Sequence, residues 1–362
     1  MDHLSAPRPV ERPPRPTRRT FLTLTAIVPA LAACGGGADP GAPNRGGAPV
    51  TTGAGTPPPL PTLRIRHPQN LAFAAPFQLI ESQGVLGQFA TTVDVGQWST
   101  PDMLRSMLLN GESEVTAVPT YVGANLANRG IDVAMAAVVV WGLLWLVGPE
   151  DADPTWDSPR GQRVMVPFPN DMPDLVFRYL AAANGLTPGQ DFQIEYLAQP
   201  PEVVSRLATG KGTWAVLPEH TATLALNQTK QNGQPVGRVL DLQQEWASAT
   251  GAGPRIPQAG IVVPTSLAQE RPALLGAILD ELERAVQVVN AAEPSTVTAL
   301  AEGSGVPEPV VKDVIPRLNL QVVPAAQARE ELEQFFTNLA TLSEDIIGGG
   351  LPAAEFYLDD PR

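Results

Sequence analysis

The sequence predicts an α/β protein, because short apolar runs alternate along the chain with segments of helical periodicity. Its 362 residues are enough for one or two domains, each with its own hydrophobic core. A formal net charge of −13 at pH 7 argues against nucleic acid as a partner, because phosphate backbones are bound by clustered lysine and arginine. The N-terminal part differs from the rest of the chain in its amino-acid composition.

Residues 1–34 have the composition of an export signal. A stretch rich in arginine and proline precedes an apolar run over residues 21–33, which is too short to cross a bilayer as a helix. The pair Arg18 and Arg19, within Thr-Arg-Arg-Thr-Phe-Leu, resembles the twin-arginine signal, which is read on folded chains. The residues Leu-Ala-Ala-Cys that end at Cys34 resemble a bacterial lipobox. We therefore expect Cys34 to be acylated and to become a lipid anchor.

Cys34 is the only cysteine of the chain, so the sequence excludes a disulfide framework and a cysteine-based metal site. Residues 35–61 consist almost entirely of Gly, Pro, Ala and Thr. Such a segment buries too little apolar surface to offset the entropy of ordering it, so a flexible linker is expected. The folded part would then lie outside the cytoplasm, in the periplasm or on the cell surface, with the lipid anchor as its only membrane contact.

The first half of the folded part alternates between strands and helices. Strands are predicted over residues 63–66, 92–95 and 115–118. A first helix is predicted to include the apolar residues Phe77, Leu79 and Ile80 and to end near Gly84. A second helix is predicted over residues 101–109. Residues 133–149 carry no charge and are interrupted by a glycine and a proline, which favours two buried strands over a membrane span.

A second unit is predicted to begin near Pro159. Its strands are expected over residues 163–166, 193–197 and 214–217, and residues 237–242 and 260–263 are further strand candidates. A helix is expected over residues 201–209, and apolar residues at helical spacing predict further helices through residues 175–180, 274–289 and 332–342.

The order of several short motifs resembles a solute-binding family that includes alkanesulfonate-, taurine-, nitrate- and thiamine-precursor-binding proteins. No single motif is specific, and the resemblance rests on the ordered series between about residues 63 and 345. The motifs are Ala75-Pro76-Phe77 with Gly84-Val85-Leu86, Leu108-Leu109-Asn110-Gly111-Glu112, residues 158–164, Ala183-Asn184-Gly185-Leu186, residues 207–215, and Leu217-Pro218-Glu219.

The resemblance implies a two-lobed type II periplasmic-binding fold, in which each lobe is a mixed sheet flanked by helices and the ligand cleft lies between the lobes. Residues 62–157 and 256–362 would form lobe 1, and residues 158–255 would form lobe 2. The chain would cross between the lobes near residues 146–159 and 251–260. Strand carboxyl ends and helix amino ends of both lobes would then face one cleft, which closes over the ligand.

The resemblance also assigns candidate ligand contacts to loops that follow particular strands. They are Phe73, Trp98, Ser99, Thr100 and Thr120 in lobe 1, and Asn170, Asp171, Met172, Gln199, Glu219 and His220 in lobe 2. Several of these residues are open to another interpretation. The aromatic residues could belong to the core, Asn170 or Asp171 could be a helix N-cap, and Glu219 with His220 could be a solvated pair.

Residues 170–172 depart from the family, which usually has Gly-Ser or Gly-Thr at this helix start. Asp171 would bring negative charge to a position where anion binders of the family use an open helix N-terminus, and the predicted loops contain no lysine or arginine. We therefore expect an uncharged or cationic organic ligand with an apolar or heteroaromatic body, stacked on Trp98 or Phe73. A sulfonate- or nitrate-type anion binder is the alternative.

The sequence does not predict an enzyme. Enzymes of this fold that cleave sulfinates or make pyrimidines need cysteine, and the single cysteine is assigned to the lipobox. His67 and His220 alone do not make a metal site, and no phosphate loop, nucleophile elbow or HExxH pattern is present. We expect a monomer without cofactor, which binds a small molecule and serves an ABC permease and its ATPase subunit. A lipid-anchored accessory protein that has lost the ligand is a third interpretation.

Overall fold

The structure is a computed structural model. It describes residues 57–69, 71–80 and 84–362. Together these residues form one compact unit. The predicted signal peptide, including Cys34, and most of the predicted linker lie outside the described residues. The first strand begins at Leu60, so the linker boundary predicted at residue 61 falls just inside that strand.

Every strand predicted from the sequence is present. The strands are β1 (Leu60–Pro68), β2 (Ala90–Trp98), β3 (Val115–Pro119), β4 (Ala134–Val140), β5 (Leu144–Pro149), β6 (Arg163–Pro167), β7 (Gln193–Leu197), β8 (Trp214–Pro218), β9 (Val236–Asp241), β10 (Ala259–Val263) and β11 (Leu320–Pro324).

Twelve helices are described between and after these strands. They are α1 (Leu71–Gln78), α2 (Pro101–Leu109), α3 (Thr120–Asn128), α4 (Met172–Ala183), α5 (Pro200–Ala208), α6 (Glu219–Gln231), α7 (Leu242–Thr250), α8 (Thr265–Glu270), α9 (Pro272–Ala291), α10 (Pro294–Ser304), α11 (Glu308–Val314) and α12 (Arg329–Ala340). The first helix ends at Gln78, earlier than predicted. None of the helices in the described ranges is long and apolar enough to cross a membrane.

The strands form two mixed sheets flanked by helices, which confirms the predicted fold class. The first sheet has the order β11-β4-β10-β3-β1-β2, with β1 parallel to both of its neighbours and β10 antiparallel to both of its own. The second sheet has the order β7-β6-β8-β5-β9, with β6 parallel and β5 antiparallel to their neighbours. We use lobe 1 and lobe 2 for the parts built on the first and second sheet.

The chain passes from the first sheet to the second between β4 and β5, at residues 141–143, and returns between α7 and β10. β5 therefore belongs to the second sheet. The prediction that the first crossing lies near residues 146–159, with lobe 1 extending to residue 157, was wrong in this respect. Uncharged apolar runs identify buried strands, but they do not say which sheet each strand joins.

Side-chain amides complete the backbone hydrogen bonds at this first crossing. The amide of Gln243, which is 2% exposed, accepts from the N–H of Leu144 at 2.9 Å and donates to its carbonyl at 3.1 Å. The side-chain oxygen of Gln258 accepts from the N–H of Leu143 at 3.2 Å, and the side-chain amide of Asn319 donates to the carbonyl of Gly142 at 2.8 Å. Because buried peptide groups without partners are costly, these amides stabilise the crossing.

Replacement of Gly142 by alanine tests the crossing. Gly142 has a φ of 103°, which L-residues rarely adopt, and an added Cβ would lie 2.5 Å from Cγ of Gln243. Backbone strain and the displaced glutamine together should lower the free energy of unfolding by roughly 3 kcal/mol, measured by urea denaturation of residues 55–362. Gly253→Ala is the control, because its Cβ would meet nothing within 4 Å. Equal stabilities of the two variants would contradict the assigned role.

Candidate functional site

A hydrogen bond between Tyr121 and Asp171 joins the two lobes. Tyr121 lies in the first turn of α3 in lobe 1, and Asp171 is the N-cap of α4 in lobe 2. The Tyr121 hydroxyl donates to Oδ1 of Asp171, which also accepts from the N–H of Met172 at 2.8 Å. Burial raises the pKa of the Asp171 carboxyl, and the bond from Tyr121 opposes that shift. The start of α4 thus carries an anion supplied by the chain itself.

The loop before α4 has an unusual backbone. Phe168 and Asn170 have φ values of 57° and 59°, a region in which bulky residues are rare. The fully buried carboxylate of Asp174 holds this loop, because it accepts from the N–H of Asn170 at 2.8 Å, from Nε of Arg178 at 3.0 Å and from the hydroxyl of Tyr196 at 3.1 Å. Such strained positions are found preferentially at binding sites, so this loop is a candidate binding element.

A cavity of about 310 Å³ lies beside the bond between the lobes, and we call it the interlobe pocket. Helices α2 and α3 and the segment 342–346 line it on one side, and α4 with its preceding loop lines it on the other. Its lining residues are Arg105, Tyr121, Val122, Asn125, Asn170, Leu175, Arg178, Leu342, Ser343, Asp345 and Ile346.

A buried charge cluster joins the lobes at the start of α6. The carboxylate of Glu219 is fully buried and accepts from Nε and Nη2 of Arg238 at 3.0 and 2.5 Å, and from the hydroxyl of Thr223 at 2.7 Å. Arg317, which follows α11 in lobe 1, lies 3.6 Å from the same carboxylate. The alternative interpretation of Glu219 as half of a solvated pair is therefore wrong.

His220 is also buried at the start of α6, with 8% of its surface exposed. Its Nδ1 atom has no hydrogen-bond partner in the described part of the chain. Burial lowers the pKa of the imidazole to about 4, so the ring is neutral at pH 7.

The lobe 1 candidates are divided between the core and the surface. Phe73 and Trp98 are 6% and 8% exposed and belong to the hydrophobic core; the Trp98 indole donates to the carbonyl of Ala117 at 3.1 Å. Thr120 is fully buried and donates to a backbone carbonyl of the second crossing. Thr100 caps α2, accepting from the N–H of its third residue at 3.2 Å. Ligand contact by these residues stays a prediction.

The remaining candidates are spread over the site. Ser99 and Gln199 are exposed, the latter as the residue before α5, and Met172 is buried in the first turn of α4. Asn170 is the one predicted contact among the residues that line the interlobe pocket. The described residues contain no cluster of three histidine, cysteine or acidic side chains that could hold a metal ion.

The sequence interpretation missed most of the pocket. Arg105 and Arg178 lie within helices, so the observation that the predicted loops contain no lysine or arginine did not include them. Arg178 is paired with Asp174 at 3.0 Å, whereas the ion pair of Arg105 is a 3.8 Å contact within its own helix. Ser343 and Asp345 come from a segment near the C-terminus that no motif identified.

Comparison with known proteins agrees with the geometry. No family model and no curated protein sequence matches the chain. Among solved structures, an ABC transporter protein from Parabacteroides distasonis has a TM-score of 0.66 at 20% identity, over 83% of this chain and 99% of that one. The periplasmic aliphatic sulphonate-binding protein of Escherichia coli has a TM-score of 0.66 at 14% identity, over 83% of this chain and 92% of that one.

The periplasmic nitrate-binding protein of Synechocystis is a further structural neighbour, with a TM-score of 0.60 at 15% identity, over 80% of this chain and 84% of that one. At these identities the likeness establishes the shared fold. The predicted two-lobed periplasmic-binding fold is therefore confirmed, together with the expected resemblance to sulfonate- and nitrate-binding proteins at the level of the fold.

The burial of His220 predicts a dependence of stability on pH. Its pKa is about 4 in the folded protein against 6.5 for the free side chain, so the unfolded chain takes up the extra proton. The contribution of His220 to the free energy of unfolding should be fully present above pH 6.5 and fall by about 3 kcal/mol down to pH 4, at about 1.4 kcal/mol per pKa unit. Urea denaturation between pH 7 and 4 measures it. His220→Phe should flatten this slope and His67→Phe should retain the His220 contribution; an unchanged slope in His220→Phe would contradict the assignment.

Proposed function

We propose that the chain is the solute-binding component of an ABC importer, that it works outside the cytoplasm, and that Cys34 anchors it to a membrane. The interlobe pocket is the observation that carries this proposal, because its walls come from both lobes. A pocket of this kind is complete only when the lobes are together, so ligand capture and lobe closure are coupled. A permease can then distinguish the loaded from the empty protein by its shape.

The proposed ligand is a small organic molecule without net negative charge. Asp171 supports this choice, because its carboxylate already occupies the start of α4 and accepts from Tyr121. Arg178 does not oppose it, since Asp174 pairs with that guanidinium. Asn170, which lines the pocket, is the sequence-predicted contact that we retain as the central one.

A second candidate function is an accessory protein that kept the fold and lost the ligand. The burial of Phe73, Trp98 and Thr120 favours it, because these side chains make contacts within lobe 1 and at the crossing. The direct bond between Tyr121 and Asp171 also closes part of the cleft without a ligand. The interlobe pocket favours the binding function, because a protein without a ligand has no need of a cavity with polar walls.

A retained ligand would be detected by native mass spectrometry of residues 55–362, recorded before and after mild denaturation. We expect one discrete mass that is lost on denaturation, because a closed cleft holds its ligand through purification. The identified compound, added at 100 times its dissociation constant, should stabilise the protein by about 2.7 kcal/mol. A sulfonate or nitrate would contradict the proposed ligand charge, and a bare protein that no compound stabilises would favour the accessory function.

The lipid anchor is tested by replacing Cys34 with alanine in the full chain. We expect the wild-type chain to sediment with membranes and the variant to remain in the soluble extracytoplasmic fraction, because acylation needs the thiol. Metabolic labelling with a fatty acid gives a second readout. A Ser5→Ala variant, which also changes a residue of the signal region, is the control. Equal membrane association of the two variants would rule out the anchor.

A further inference from the structure

Most polar side chains of the interlobe pocket are already bound within the protein. Tyr121 donates to Asp171, and Arg178 is paired with Asp174 at 3.0 Å. The side-chain amide of Asn125 donates to two backbone carbonyls of the segment 342–346, at 2.7 and 3.2 Å. Asn170 accepts from Nη2 of Arg178 at 3.4 Å. These groups build the walls of the pocket, and Nδ2 of Asn170 and Nη1 of Arg178 are the donors among them that have no partner in the described ranges.

Three further polar side chains of the pocket are available, and two of them, Ser343 and Asp345, are exposed. The guanidinium of Arg105 has one ion pair, a 3.8 Å contact with the fully exposed Asp102 of its own helix. The carboxylate of Asp345 and the hydroxyl of Ser343 have neither a hydrogen bond nor an ion pair to any residue in the described ranges. The pocket thus offers one cation, one anion and one hydroxyl.

The two available charges line the same cavity but do not pair with each other. A ligand with a single negative charge would be attracted by Arg105 and repelled by Asp345. A ligand with a single positive charge would be attracted by Asp345 and repelled by Arg105. A molecule that carries both charges satisfies both groups. An arginine donates two parallel hydrogen bonds to a carboxylate, and a carboxylate accepts hydrogen bonds from an ammonium group.

The rest of the wall is aliphatic. Val122, Leu175, Leu342 and Ile346 line the cavity between the polar groups. A volume of about 310 Å³ is at the lower end of the range for small-molecule sites, which favours a compact ligand.

We propose that the interlobe pocket binds a compact zwitterion with an aliphatic body, with the carboxylate of the ligand on Arg105 and its ammonium group on Asp345 and Ser343. This inference rests on the proposed solute-binding function and narrows it, since a zwitterion has no net charge. The negative carboxylate of Asp171 beside the pocket disfavours a ligand that is only anionic.

The experiment is isothermal titration calorimetry of the full chain, purified in detergent. Two zwitterions differ in the separation of their charges: L-leucine and 6-aminohexanoate. Each is compared with the acid that lacks its amino group and with the amine that lacks its carboxylate. For leucine these are 4-methylpentanoate and 3-methylbutylamine. For 6-aminohexanoate they are hexanoate and pentylamine. At least one zwitterion should bind at least tenfold more tightly than both of its singly charged counterparts.

Two variants assign the charges within the pocket. Arg105→Gln should weaken binding of the zwitterion at least tenfold and leave the amine unaffected, and Asp345→Asn should weaken the zwitterion and leave the acid unaffected. Arg163→Gln and Asp359→Asn are the matched controls, because both residues are exposed and lie outside the pocket. Both should bind like the wild-type chain.

Two results would overturn the assignment. One is that neither zwitterion binds more tightly than its singly charged counterparts, or that neither pocket variant changes its affinity. The other is a retained compound of a different charge type in the mass-spectrometry experiment. That second result would leave the solute-binding function standing, so failure of the zwitterion assignment is distinguishable from failure of the function.

Discussion

A peptide group that leaves a sheet without a neighbouring strand must find another partner, and at residues 141–143 those partners are side-chain amides. Gln243 lies in α7, Gln258 precedes β10, and Asn319 precedes β11, so three distant parts of the chain converge on one short crossing. Because each amide is specific for the direction of the peptide group that it meets, the crossing fixes where β5 enters the second sheet. The placement of α4 opposite α3, and of α6 opposite α11, depends on it.

The polar contacts between the lobes at the start of α4 and at the start of α6 differ in what lobe separation would expose. Separation at α4 would break the bond from Tyr121 and return the Asp171 carboxylate to water, which removes the burial that raises its pKa. Separation at α6 would remove Arg317 from Glu219, but Arg238 would stay with that carboxylate. Both charges keep a partner or gain water, so neither contact locks the lobes together.

The fold could be predicted from the sequence, but few residues of the interlobe pocket could be. Strands such as β6 and β8 were found because their apolar runs are continuous, whereas α3 and α6 were missed because small and polar residues are buried on them, including Thr120 and Glu219. Asn170 was found because it follows a strand. Arg105 and Asp345 were not found, because a pocket that joins a helix to a C-terminal segment depends on tertiary contacts that no local pattern records.

The segment 342–346 closes one wall of the interlobe pocket, although it lies within the last 21 residues of the chain. During synthesis the cavity is therefore incomplete until the segment 342–346 has left the ribosome. If the twin-arginine signal is used, folding precedes translocation, and the finished pocket is first exposed to the metabolites of the cytoplasm. Such a protein would be exported with any cytoplasmic compound that fits its pocket. It would have to release that compound before it could bind a solute outside the cytoplasm.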